Sequence, residues 1–143
     1  MAGRVRFAVL VLAVAMLGVA AGCYWSKYDK LVRTHVQLLL SMADKLDTVT
    51  ADEGASPASL AEYLYPLERA RDFIRIVAPR FEGRSSLEAL RRTCDAYAAF
   101  VAAAERWRPD ADAGGRDAMA RAHEMLAAAG AETLRALDAE RRS

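Results

Sequence analysis

The sequence predicts an all-α protein, built as an antiparallel up-down-up-down four-helix bundle. Three observations predict it. Apolar residues recur three and four apart through four segments, the period of a helix face turned to a core. Runs that alternate Val, Ile, Thr or aromatics with polar residues are absent, so strands are not expected. Gly and Pro are few, at 8 and 4 of 143 residues, while Ala is abundant, and three short breaks separate the periodic segments. Short connections favour antiparallel neighbours.

The first helix is expected over about residues 24–50. Tyr24, Tyr28, Leu31, His35, Leu38, Met42 and Val49 recur at spacings of three, four and seven, and Trp25, Val32, Leu39 and Leu46 widen that stripe. Asp52-Glu53-Gly54-Ala55 breaks it. Ser56-Pro57 reads as an N-cap followed by a proline at the first helical position, where a missing N–H costs nothing.

The second helix then spans 57–81, striped by Leu60, Leu64, Leu67, Ile74, Val77 and Phe81. Pro66 stands inside it. Its ring removes one backbone donor, so the helix is expected to be kinked or split near Pro66.

Glu82-Gly83-Arg84 reads as the next turn and Ser85-Ser86-Leu87-Glu88 as a capping box beginning at Ser85. The third helix, 85–107, holds Leu87, Leu90, Cys94, Tyr97, Val101 and Ala104 in a seven-residue pattern. Arg108 to Gly115 forms the last loop. In it Asp110 and Asp112 lack the other ligand positions of a calcium loop, and helix capping accounts for them. The fourth helix, 116–141, turns Met119, Ala122, Leu126, Ala129, Thr133 and Leu137 inward, and its many alanines permit close approach of a neighbour.

Residues 1–22 have the parts of a secretory signal rather than of a folded domain. Arg4 and Arg6 form a positive start, Phe7 to Leu17 is an unbroken apolar run, and small residues follow from Gly18 to Gly22. The apolar core is short for a membrane-spanning helix, which needs about 20 strongly apolar residues. The expected organisation is therefore a cleaved segment, 1–22, and a single helical domain, 23–143.

The end of that segment is more specific. Ala20-Ala21-Gly22-Cys23 resembles the lipobox of bacterial lipoprotein precursors, with Ala20 standing where Leu is commoner. The resemblance covers residues 1–23 alone. It implies that the Cys23 sulfur carries a diacylglycerol, that the chain is cut just before Cys23, and that palmitate or another acyl chain is added there. It also implies an address in the bacterial cell envelope. Tyr24 is not the Asp that holds many such lipoproteins at the inner membrane, so the periplasmic face of the outer membrane is the expected site. Two or three acyl chains anchor firmly, whereas one binds marginally.

Charge is nearly balanced, 20 Lys and Arg against 19 Asp and Glu, which argues against a nucleic-acid partner. Its distribution is less even. In an up-down bundle the second loop and the C-terminus return to the end where helix one starts, bringing Arg80, Arg84, Arg141 and Arg142 together. Tyr24, Trp25, Lys27, Tyr28 and Lys30 are expected to form the foot of helix one, contacting the lipid surface with aromatics and basic groups suited to an interface. Glu68, Arg71, Asp72 and Arg75 form a dense run on helix two. Such a run is ordinarily a solvated face, and here it is the candidate face for a protein partner.

Motifs for chemistry are missing. The sequence holds no Glu-x-x-His pair for a di-iron site, no Gly-rich phosphate loop, no Gly-x-Ser-x-Gly and no zinc-spaced Cys/His cluster. Cys94 lies on a core stripe beside Asp95 and reads as a buried structural thiol. His35, Met42, Met119, His123 and Met125 could only place a haem between helices, without the Cys-x-x-Cys-His attachment motif. The expectation is a non-catalytic, structural or partner-binding lipoprotein with no cofactor and no metal. A carrier of haem or another apolar ligand within the bundle is the alternative.

Overall fold

The computed structural model turns the apolar pattern into four helices in chain order: α1 Ala2–Asp52, α2 Pro57–Phe81, α3 Ser85–Arg106 and α4 Ala113–Arg142. The structure describes residues 2–52, 57–107 and 113–143, with side chains at 22–51, 60–107 and 114–143. Among the described residues there is no strand. The Ser56 cap, Asp110, Asp112 and the side chains of Arg4, Arg6, Ala20 and Ala21 lie outside the described residues. The chain divides into two units, Met1–Val32 and Arg33–Ser143.

The second unit is the bundle. His35 on α1 meets Phe73 on α2, with ring centroids 4.8 Å apart, and farther along the Lys45 ammonium lies 6.0 Å from the Tyr63 ring. The α1 number rises as the α2 number falls, so the two run antiparallel. The same order reversal joins α3 to α4, through Arg92–Glu132 at 2.7 Å and the Phe100 and His123 rings at 5.4 Å. It joins α1 to α4 through Arg33–Asp138 at 2.6 Å and Asp44–His123 at 2.8 Å. The helices therefore go up, down, up and down around one core, as predicted.

That core is a set of seven-residue repeats. α1 contributes Val36, Leu39, Ala43, Leu46 and Thr50, and α3 contributes Leu87, Leu90, Cys94, Tyr97, Val101 and Ala104, all buried. Alternating steps of three and four keep one side of a 3.6-residue helix facing its neighbours over many turns. α4 adds Met119, Leu126, Thr133 and Leu137. At Gly130 it comes so close to α1 that an added Cβ would stand 3.1 Å from a Leu40 methyl.

Several expectations are corrected. α1 begins at Ala2 and passes through Cys23 without a break. Gly18 and Gly22 each lower helix propensity by only about 1 kcal/mol and remove no backbone donor, so they do not stop it. The α1 stripe is rotated. The residues read as widening it, Val32, Leu39 and Leu46, are its centre, whereas Leu31 and Leu38 are 45% and 42% exposed. In α2, Tyr63 is buried and Leu64 is 41% exposed. α2 itself is one helix through both Pro66 and Pro79, so of the two outcomes expected at Pro66, a kink or a split, the split does not occur.

The start of α3 is also built differently. Its N-cap is Arg84, which makes no side-chain capping bond. The Ser86 N–H and the Ser85 hydroxyl donate instead to one oxygen of Glu140, on α4, at 3.0 and 2.9 Å, and the Ser86 hydroxyl donates to the other at 2.7 Å. A carboxylate here satisfies donors that a helix start leaves over and sits at the positive end of the helix dipole. Glu88, predicted to complete a capping box, pairs with Arg91. Gly83, at φ +82°, supplies the left-handed residue that turns the chain between α2 and α3.

Candidate functional site

The two thiols are in opposite surroundings. Cys23 is exposed on α1, beside a Gly22 at which an added Cβ would meet nothing within 4 Å. Cys94 is buried, and burial pushes its thiol up to about 11. Thiolate is the reactive form, so burial keeps Cys94 in the unreactive one, while Cys23 is the accessible thiol.

Around Cys23 the expected lipid-facing group is reduced by one. Tyr24 is 54% exposed, Lys27 and Lys30 are exposed, and Trp25 is half-buried with its ring centroid 5.4 Å from that of Tyr28. Tyr28 is only 2% exposed. It stands one helical turn before Val32 on the buried line, and its ring serves packing rather than lipid contact. Among the described residues no helix is long and apolar enough to cross a membrane.

The second candidate is the outer side of α2. Glu68, Arg71, Asp72 and Arg75 are all exposed. Arg75 pairs with Asp72 at 2.8 Å within α2, while Arg71 reaches across to Asp95 on α3 at 3.8 Å. Exposed pairs of this kind contribute little to stability. Arg71 also marks the junction of two clefts along the α2–α3 seam. One, of about 340 Å³, is lined by Leu60, Leu64, Leu67, Ala98, Val101 and Ala102. The other, of about 210 Å³, is lined by Arg71, Ile74, Arg91, Cys94 and Asp95. α3 packs more closely against α4 than against α2, and the two clefts lie along the looser α2–α3 seam. The charge run is visible in the sequence, but the apolar groove beside it is not. Its one signal is Leu64, a position outside the alternation Leu60, Tyr63, Leu67.

The histidines do not converge. His35 is half-buried against Phe73, and burial, followed by repulsion from Arg69, lowers its proton affinity. His123 bonds Asp44 and meets the Phe100 ring edge-on. Met119 is buried, but Met125 is 69% exposed. Among the described residues no group of three or more His, Cys, Asp or Glu side chains is placed to hold a metal ion.

The chain matches no protein-family model, no curated protein and no solved structure.

Proposed function

We propose that this chain is a lipid-anchored lipoprotein of the bacterial cell envelope, tethered through acylated Cys23. Its helical bundle is non-catalytic, faces the periplasm and binds an envelope protein partner. One observation carries the reading: the Ala20-Ala21-Gly22-Cys23 seam directly follows a basic start and an apolar run, and the thiol at that seam is the accessible one. Tyr24 at the position after the cysteine favours the outer membrane over the inner. The open α2–α3 seam, with apolar Leu60, Leu64 and Leu67 beside the charged Glu68, Arg71, Asp72 and Arg75, supports α2 as the partner-binding side.

Cys23→Ser tests the tether in cells fed radioactive palmitate. The expected outcome is loss of label and accumulation of unprocessed chain. Label retained at wild-type level in Cys23→Ser would remove the reading.

A further inference from the structure

Resting on the tether reading, we infer that one end of the bundle is a second membrane contact: an arginine surface that docks on anionic lipid headgroups. Arg80 ends α2, Arg84 caps α3, and Arg141 and Arg142 end α4; all four are exposed. Contacts within the bundle bring these termini together. The bonds from Ser85 and Ser86 to Glu140 tie the residues next to Arg84 and Arg141 to each other, and Arg84 acts electrostatically on Glu140.

Three acids at this end are engaged by partners on neighbouring elements. Asp138 is bonded by Arg33 at 2.6 Å, Glu140 by Ser85 and Ser86, and Glu82 by both terminal nitrogens of Arg91 at 3.0 and 3.1 Å. A carboxylate paired with a guanidinium or hydroxyl offers less repulsion to an approaching anion than an unpaired one. Complementing helix dipoles accounts for a basic residue at the end of α2 or of α4. It does not account for Arg84, which stands at the positive end of α3.

Arg33 lies at this end, through its bond to Asp138, and Cys23 precedes Arg33 by only ten residues in the sequence. An anionic headgroup layer is the partner that this charge fits. Each basic residue near such a surface gains about 1 kcal/mol, a factor of about five in the docked-to-free ratio.

The experiment uses the acylated full chain in vesicles, with a dye on Ser143→Cys. Cys94 is buried and Cys23 is blocked by its lipid, so the dye reports one site. Energy transfer to headgroup-labelled lipid is compared in phosphatidylcholine and in equal parts phosphatidylcholine and phosphatidylglycerol. Transfer should be higher in the anionic vesicles and fall as salt is raised. Arg141→Glu with Arg142→Glu should lower the docked-to-free ratio by at least roughly 25-fold, two such factors for the lost positive charges alone, while Arg141→Lys with Arg142→Lys should retain it. Equal transfer in the two vesicle types, or transfer unmoved by charge reversal, overturns the docking surface. Mass spectrometry of the same preparation scores acylation of Cys23 separately, so loss of the tether and loss of docking are read on different signals.

Discussion

The Tyr97 hydroxyl, on α3, donates to the main-chain carbonyl of Tyr63, on α2, across 2.6 Å of buried space. The acceptor is next to the carbonyl that Pro66 leaves without its helical donor, that of Glu62, in the turn that the proline ring crowds. A phenol from the neighbouring helix thus adds a buried hydrogen bond beside the Pro66 turn and ties α3 to α2 at that height. Tyr97→Phe keeps the ring and removes the bond, and should cost about 1 kcal/mol. Tyr97→Ala should cost about 3–5 kcal/mol, as for a buried aromatic. Urea midpoints of the two variants check both values, and a Tyr97→Phe protein as stable as wild type would show the bond to be idle.

Glu140 should stabilise the bundle only while ionised. Burial alone would raise its proton affinity, but bonds from Ser86 and Ser85, aided by Arg84, hold the carboxyl below its ordinary 4.5. Because the folded state binds the proton less tightly than the unfolded chain, the contribution is present above about pH 4.5 and is lost as pH falls through the lower folded value. Glu140→Gln should cost about 1 kcal/mol at pH 7, the scale of a lost helix cap. The difference from wild type should shrink as the pH is taken below 4.5. Thermal melts of both proteins across that range test it, and a gap that stays constant with pH would refute the charge-based account.

The helices are legible in the sequence because each carries a repeat long enough to show its period. Every α3 residue expected to face inward, from Leu87 to Ala104, is buried. The α1 stripe reads one step off because that helix is apolar on more than one side. Leu31 and Leu38 follow the same spacing as Val32 and Leu39, and only packing against neighbours decides between them. The α3 cap is hidden for another reason. Ser85 and Glu88 fit a local capping box, but the carboxylate that serves the helix start, Glu140, lies 55 residues from Ser85. Cys23 stands out in the sequence because the stretch that marks it, Ala20-Ala21-Gly22-Cys23, is contiguous. The α2–α3 groove does not, because a groove belongs to two helices and neither sequence shows the gap.

Gly130 gives a test of how tightly α1 and α4 are pressed together. A Cβ there meets Leu40 methyls at 3.1 and 3.3 Å, the far end of a flexible side chain that is itself half-buried. Replacing a helix-interior glycine with alanine gains about 1 kcal/mol of helix propensity. Leu40 can move a few tenths of an ångström toward solvent, so Gly130→Ala should leave stability unchanged or raise it by up to about 1 kcal/mol. Gly130→Val adds branches that Leu40 cannot clear and should destabilise by about 1–3 kcal/mol. Calorimetric Tm values for the pair decide, and a lower Tm for Gly130→Ala would mean that the helices cannot part at all.

Cys94 makes the fold sensitive to alkali. Burial raises its thiol from an ordinary 9.0 to about 11, with Arg71 and Asp95 acting in opposite directions beside it. The folded state therefore holds the thiol proton more tightly than the unfolded chain does. Its contribution is fully present below pH 9, declines as pH rises and is gone above about 11. A rise of that size in proton affinity corresponds to about 2–3 kcal/mol. Tyr97, also raised by burial, adds a similar trend at higher pH. Cys94→Ala should cost stability at neutral pH by leaving a small cavity, yet lose less of what remains between pH 9 and 11. Urea unfolding at a series of pH values measures the two slopes. Parallel slopes for wild type and Cys94→Ala would place the alkaline weakness elsewhere in the bundle.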